Sequence, residues 1–319
     1  MRILKKNLIY VVLALIAASL VISGCAQGEK AKEKSAAKGP VVVASKIDTE
    51  GALLGQMIIA MLKANGFDAV DKTEFGPTDI TRKALLSGEI DIYPEYTGNG
   101  AFFFNDTQPE LWKDAEKGYD AVKKLDLEKN SVVWLQPAPA NNTWAIAVRK
   151  DLGQAEKIKT MDDFAAYINR GGNVKLACSE EFVSSPAALP AFQTAYGFKL
   201  KKEHLLTLSG GNTAQTEKAA AEKTDGVNFA MAYGTDGSLA ALGLVVLEDT
   251  RGVQPVYEPA PIIRGKVNDK YPEIANILNP VFKSLDLTTL QTLNAKIAVE
   301  GQQASKVAGD YLTAKGFLK

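Results

Sequence analysis

Short β-branched runs alternate with amphipathic segments along most of this chain, and that alternation restricts it to folds in which helices pack on mixed or parallel sheets. VVVASK (41–46) is an apolar strand, and TEGALLGQMIIAMLKANG (49–66) follows with apolar residues at helical spacing and an Asn-Gly stop. A weaker strand is expected around Ala69–Lys72, then a turn at Gly76-Pro77 and a helix over 78–87, capped by Thr78 and halted by Gly88. EIDIYPEY (89–96), SVVWLQP, TWAIAVRK, VKLACS, GVNFAMAYG, LVVLED and APIIRGK read as further strands. DDFAAYINR, SPAALPAFQTAYG, NTAQTEKAAAEK, PEIANILNPVFKSL and the long stretch LTTLQTLNAKIAVEGQQASKVAGDYLTAKG read as helices. The fold class is α/β throughout.

The N-terminus says where such a fold works. Met1–Asn7 carries Arg2, Lys5 and Lys6 without an acid, and a mostly apolar run from Leu8 to Ile22 follows. That run is shorter than the span of about 20 residues a membrane helix needs, so residues 1–24 read as a signal peptide. Ile22-Ser23-Gly24-Cys25 looks like a lipobox, which predicts lipidation of Cys25 as the first residue of the mature chain. Residues 25–39, rich in Lys, Glu, Ala and Gly, have nothing to bury and form a tether. The chain is expected to be anchored to a membrane through lipidated Cys25 and to face outward.

Charge and cysteine content narrow the function. Losing Arg2, Lys5 and Lys6 from a balanced 37 bases and 37 acids leaves the mature chain with three acids in excess, and no basic patch points to nucleic acid. With Cys25 lipidated only Cys178 remains, in the strand-like VKLACSEE, so no internal disulfide forms and Cys178 reads as a buried thiol. His204 is the single histidine; it sits in the charged KKEHLLTL as a solvated residue, and with no second histidine or cysteine cluster neither a metal site nor a cofactor is expected. Asp91 and Glu95 read as organisers of backbone amides rather than an acid–base pair, and the helix from Thr213 to Lys223, with Glu217, Lys218, Glu222 and Lys223, reads as an exposed face.

Two stretches look like crossings between lobes: QPAPANNTWAIAV (136–148) and VQPVYEPAPIIRG (253–265), each with proline punctuation ahead of an apolar strand. A chain that leaves one lobe, builds a second and returns gives lobe 1 from 40–142 and 248–319, and lobe 2 from 143–247. Two lobes, export and no catalytic constellation suggest a solute-binding protein that closes by hinge motion.

KIDTEGALLGQ, GPTDITRKALLSGEIDIYPEYTGNGAFFF, NNTWAIAVRK, MAYGTDGSL and VYEPAPIIR are similar to the substrate-binding proteins of ABC importers for osmoprotectants, the glycine betaine, carnitine and choline family. The resemblance runs through essentially the whole mature chain, and EIDIYPEYTGN is its most specific part. It implies a type II periplasmic-binding-protein fold, a quaternary ammonium ligand, an ABC permease as partner and a monomer. A quaternary ammonium has no N–H to donate, so aromatic faces must hold it. By resemblance Tyr96, Trp144, Tyr233 and Tyr257 fall on cage positions, with Trp144 where the family usually has tyrosine. Tyr93 and Phe102–Phe104 are expected to pack the lobe interior or its edge, and Phe182 is an open candidate for the rim. For a ligand carboxylate, Asn99 stands at the family's discriminating position and mildly favours a zwitterion. Gly51 replaces the glutamine that often follows Thr-Glu in the first motif. Lys46, Thr49, Asn142, Thr235 and the backbone amides near 49–52 are the remaining candidate donors. Glycine betaine is the expected ligand. The alternatives are the same fold holding choline, carnitine or another amino-acid-like zwitterion, and an exported enzyme acting on small zwitterions.

Overall fold

A computed structural model describes residues 38–105, 108–208 and 213–319, so the signal peptide, Cys25 and nearly all of the tether lie outside the described residues. Among the described residues no helix is long and apolar enough to cross a membrane.

Among the described residues ten strands form two five-stranded sheets of the same plan. The first sheet takes β1 (Lys38–Lys46), β2 (Phe67–Gly76), β3 (Ile92–Tyr96), β4 (Val132–Trp134) and β10 (Pro259–Arg264), in the order β2-β1-β3-β10-β4. The second takes β5 (Trp144–Arg149), β6 (Leu176–Ser179), β7 (Leu205–Leu208), β8 (Phe229–Tyr233) and β9 (Leu244–Val246), in the order β7-β6-β8-β5-β9. In each sheet four strands share one direction, and the one entering directly after a crossing, β10 or β5, runs antiparallel to both its neighbours. The crossings are the passages from Trp134 to Trp144 and from Val246 to Pro259.

Nine helices of eight or more residues cover the sheets among the described residues: α1 (Thr49–Ala64), α2 (Thr78–Ser87), α3 (Ala115–Asn130), α4 (Met161–Asn169), α5 (Leu189–Tyr196), α6 (Thr213–Glu222), α7 (Glu273–Lys283), α8 (Leu287–Ala298) and α9 (Ala304–Ala314). Helix α1 is central: Leu53, Leu54, Met57, Ile58 and Leu62 are fully buried, each worth roughly 1.5–3 kcal/mol against exposure. It packs between β1, β2, α7, α8 and α9. Asp48 caps it, accepting the Gly51 N–H at 2.7 Å.

Local expectations and outcomes differ in several places, and the longest element not foreseen is α3, 16 residues whose charged run AEKGYDAVKKLDLEKN hides a narrow buried stripe of Gly118, Tyr119, Val122 and Asp126. The strand foreseen at 69–72 runs over Phe67–Gly76, and Leu205–Leu208 is an edge strand that the charged run before it concealed. Helix α2 begins at Thr78 with Pro77 at the cap and no side-chain cap bond, so Thr78 does not cap it; Gly88 ends it in the left-handed region at φ 85°. The long C-terminal helical stretch is two helices, parted at Gly301, whose φ is 68°.

Candidate functional site

The C-terminal ends of β1, β3 and β8, the start of β5 and the two crossings line one cavity of about 700 Å³. Its wall on the first sheet begins at Lys46. The Lys46 ammonium is 2.5 Å from Glu95 Oε1 and 4.6 Å from the centroid of the Tyr96 ring. Glu95 is fully buried and saturated: it also accepts the backbone N–H of Tyr96 at 2.7 Å, Asn99 Nδ2 at 2.8 Å and the Tyr93 hydroxyl at 2.8 Å. Lys46 and Asn99 both line the cavity, yet each has a donor committed to Glu95. Tyr93 packs in the interior of the first sheet, and Asp91 takes the Val42 N–H.

Tyr96 donates its hydroxyl to Glu50 Oε1 at 2.8 Å. Glu50, in the first turn of α1, also accepts Asn142 Nδ2 at 3.3 Å, Asn294 Nδ2 of α8 at 2.7 Å and a hydrogen bond from the Thr235 side chain. One buried carboxylate therefore joins the first sheet, a crossing, Thr235 on the turn after β8 and α8. Burial pushes the Glu50 carboxyl up to about 7, partly offset by the bonds from Thr235, Tyr96 and Asn294 and reinforced by the like charge of Asp48. Tyr257 lies against Gly98, where a Cβ would stand 2.8 Å from two atoms of the ring, so glycine is what lets the ring sit there.

The opposite wall starts from a cross-strand pair. Trp144 on β5 and Tyr233 on β8 are directly opposed in register, and their rings stack at 6.5 Å with 15° between planes. Phe182 is fully buried and meets Trp144 edge-on at 6.0 Å, so it backs the Trp144–Tyr233 pair from the core and is not a rim residue. Beneath them Asp236 accepts the Tyr233 N–H at 2.6 Å and is paired with Glu217, with bonds from Thr213 and Ser238. Burial raises both carboxyls, Glu217 the more strongly, so the pair holds a proton at neutral pH. Glu217 is 1% exposed, which corrects the reading of residues 213–223 as a solvent face: the carboxyl is turned inward and only Lys218, Glu222 and Lys223 of that set face out.

Of the expected ligand residues, Tyr96, Trp144, Tyr233, Tyr257, Asn99, Lys46, Thr49, Asn142 and Thr235 all line this cavity. Gly51 does not. It is buried behind Lys46, where an added Cβ would be 3.0 Å from the Lys46 carbonyl oxygen, and its N–H is held by Asp48. The helix-start amides are likewise partly spent, since the Ala52 N–H bonds the Asp48 carbonyl. Phe103 and Phe104 pack against the first sheet's core, whereas Phe102 is 68% exposed, on the outside of its short helix and not in the lobe interior.

Sequence reasoning missed Glu50, Glu217, Asp236 and Asn294. Glu50 resembles an ordinary first-turn acid that complements the helix dipole. Asn294 was detectable: it falls with Leu290 and Leu293 on the buried stripe of α8, where a polar residue needs a reason.

A family model described as the substrate-binding domain of an ABC-type glycine betaine transport system matches residues 39–314. The glycine betaine-binding protein YehZ of Escherichia coli is 58% identical over 89% of this chain and 93% of its own. A glycine-betaine-binding protein of Pseudomonas aeruginosa is 31% identical over 94% and 92%. The solved structure of apo YehZ superposes with a TM-score of 0.82 over 88% of this chain and 99% of that one. A structure of a glycine betaine/carnitine/choline ABC transporter, 19% identical, shares the fold with a TM-score of 0.78 over 88% and 100%. The chain belongs to the OpuAC family, the substrate-binding domains of ABC-type glycine betaine transport systems.

Proposed function

We propose that this chain binds a quaternary ammonium osmoprotectant, glycine betaine first, between its two lobes outside the cytoplasm and delivers it to an ABC permease. It is a binding protein, as its family is, and not an enzyme. The observation that carries the reading is that Tyr96 and Tyr257 from the first-sheet segments and the stacked Trp144–Tyr233 pair from the second line one cavity. Several rings around one cation each add about 0.5–2 kcal/mol, and the methyl groups gain further by burial. Lobe 1 (40–142 and 248–319) and lobe 2 (143–247) close on the ligand about the two crossings, and the closed form is the one the permease reads. Lipidated Cys25 and the tether hold the monomer at the membrane surface.

Choline, carnitine or another ammonium solute is the second reading. What favours choline is that Lys46, the basic residue lining the cavity, is paired with Glu95 while Glu50, Glu217 and Asp236 also line it. Titration calorimetry of the mature protein against glycine betaine, proline betaine, carnitine and choline, with glycine as the unmethylated control, tests both readings. Binding of a methylated ammonium without binding of glycine is the expected result. No heat from any of them at millimolar concentration would remove the ligand class.

A further inference from the structure

The wall of the cavity combines a carboxylate that no cation neutralises with buried oxygens that no donor satisfies. Resting on the quaternary ammonium reading, we propose that Glu50 decides what the other end of the ligand must be. Ionised, it selects an ammonium compound whose far end donates hydrogen bonds; protonated, it admits a zwitterion that ends in a carboxylate.

Glu50 is 5% exposed, and its four partners, Tyr96, Asn142, Asn294 and Thr235, are all neutral donors. Lys46 is the only basic residue among those lining the cavity, and its ammonium is bound to Glu95. The remaining titratable groups of the wall are Asp48 at the cap of α1, Tyr96, Tyr257, and, from the second sheet's side, Tyr233 and the Glu217–Asp236 pair. From α8 the wall receives Asn294 and Ala298, and β2, α7 and α9, which also pack on α1, add nothing to it. The ionised Glu50 is thus a negative charge facing the ligand with no counter-charge of its own.

The second observation is independent of charge. Five buried side-chain polar atoms among the described residues lack a hydrogen-bond partner, and four are oxygens of cavity-lining residues: Asn142 Oδ1, Thr143 Oγ1, Glu217 Oε1 and Asn294 Oδ1. Two of them follow from Glu50 itself, because Asn142 and Asn294 give their Nδ2 groups to it and leave their Oδ1 atoms unpaired. The Thr143 hydroxyl donates or accepts, but the two amide oxygens and Glu217 Oε1 are acceptors that a ligand hydroxyl or N–H completes and that are poorly matched to a second carboxylate. Burial has moved the Glu50 carboxyl to about 7, so the switch falls in the range where neither choline nor glycine betaine changes charge.

The test is the affinity of the mature protein for choline and for glycine betaine, measured by calorimetry from pH 5.5 to 8.5. The preference for choline over glycine betaine is expected to rise on the order of tenfold across that range, as one unscreened charge near the ligand requires. Glu50→Gln should flatten the profile, and Asn294→Leu, which removes a donor to the ionised form, should move its midpoint to higher pH. If Glu50→Gln does not fold, the wild-type slope and the Asn294→Leu midpoint carry the test. A constant preference in the wild type, or a slope that survives Glu50→Gln, overturns the proposal while leaving the ammonium site intact. Binding of neither probe overturns the ammonium reading and this proposal with it.

Discussion

At the scale of single residues, ring position and carboxyl burial govern the site. Trp144 and Tyr233 line the cavity, whereas Tyr93 is sealed in the first core with its hydroxyl on Glu95. Trp144→Ala and Tyr233→Ala should therefore weaken ligand binding by about 3- to 30-fold, the range of one cation–π contact, and Tyr93→Phe much less. Equal losses at all three positions in calorimetry would remove the cage assignment. Glu50 links the site to stability as well. Its carboxyl is raised from 4.5 to about 7 in the folded state, so folding favours the protonated form. That contribution is fully present below the unfolded value and is lost as pH rises through about 7, a change of roughly 3 kcal/mol. Carboxyls lowered in the fold, such as Asp163 and Asp286, act in the opposite sense but only below about pH 4. Denaturant unfolding should show the wild type less stable at pH 8 than at pH 5 and Glu50→Gln with a smaller difference. An identical fall in both proteins would mean that Glu50 is not the group responsible.

Element by element, the packing of α8 on α1 brings Asn294 to Glu50, and α8 also lies close against the turn after β8. The turn after β8 makes that approach possible: a Cβ on Gly237 would be 2.2 Å from the Ala295 backbone nitrogen, and Gln291 Nε2 donates to the Gly234 carbonyl at 2.7 Å. Gly237→Ala should cost about 1–3 kcal/mol by forcing α8 away, and it should weaken ligand binding because Asn294 retreats with the helix. Unchanged unfolding and binding would show that the turn yields without moving α8. The sequence made much of this architecture legible. Binary patterning marked nearly every strand, because sheets covered on both faces need runs such as AIAV and AMAY that are apolar throughout. It failed where a residue's meaning depends on a partner distant in sequence. Glu217 has the look of a solvated helical acid and becomes buried only because Asp236, on the turn after β8, meets it. Glu50 and Asn294 are separated by 244 positions, and nothing local to either announces the bond. The aromatic positions were legible through the resemblance, since any one of them taken alone is equally a core residue.

For the whole molecule, the two crossings act together. The Asn142 N–H donates to the Tyr257 carbonyl at 2.9 Å, the Tyr257 N–H to Asn141 Oδ1 at 2.8 Å and the Ala138 N–H to the Pro259 carbonyl at 2.8 Å, so the outgoing and returning segments run side by side. On the proposed two-lobe reading these paired segments bend as one hinge, and a ligand shifts the equilibrium toward closure only by contacts made with both lobes at once. An ammonium held by Tyr96 and Tyr257 on one side and Trp144 and Tyr233 on the other makes such contacts; glycine, lacking the methyl groups that fill the cage, does not. Small-angle scattering should therefore show a smaller radius of gyration on saturation with glycine betaine or choline and none of that change with glycine. Trp144→Ala should need more ligand to reach the same compact form, because one of the four ring contacts is lost while the hinge is untouched. Tight binding with no change in scattering would mean that the cavity takes its ligand without closure, and the cage would then have to be complete before the ligand arrives.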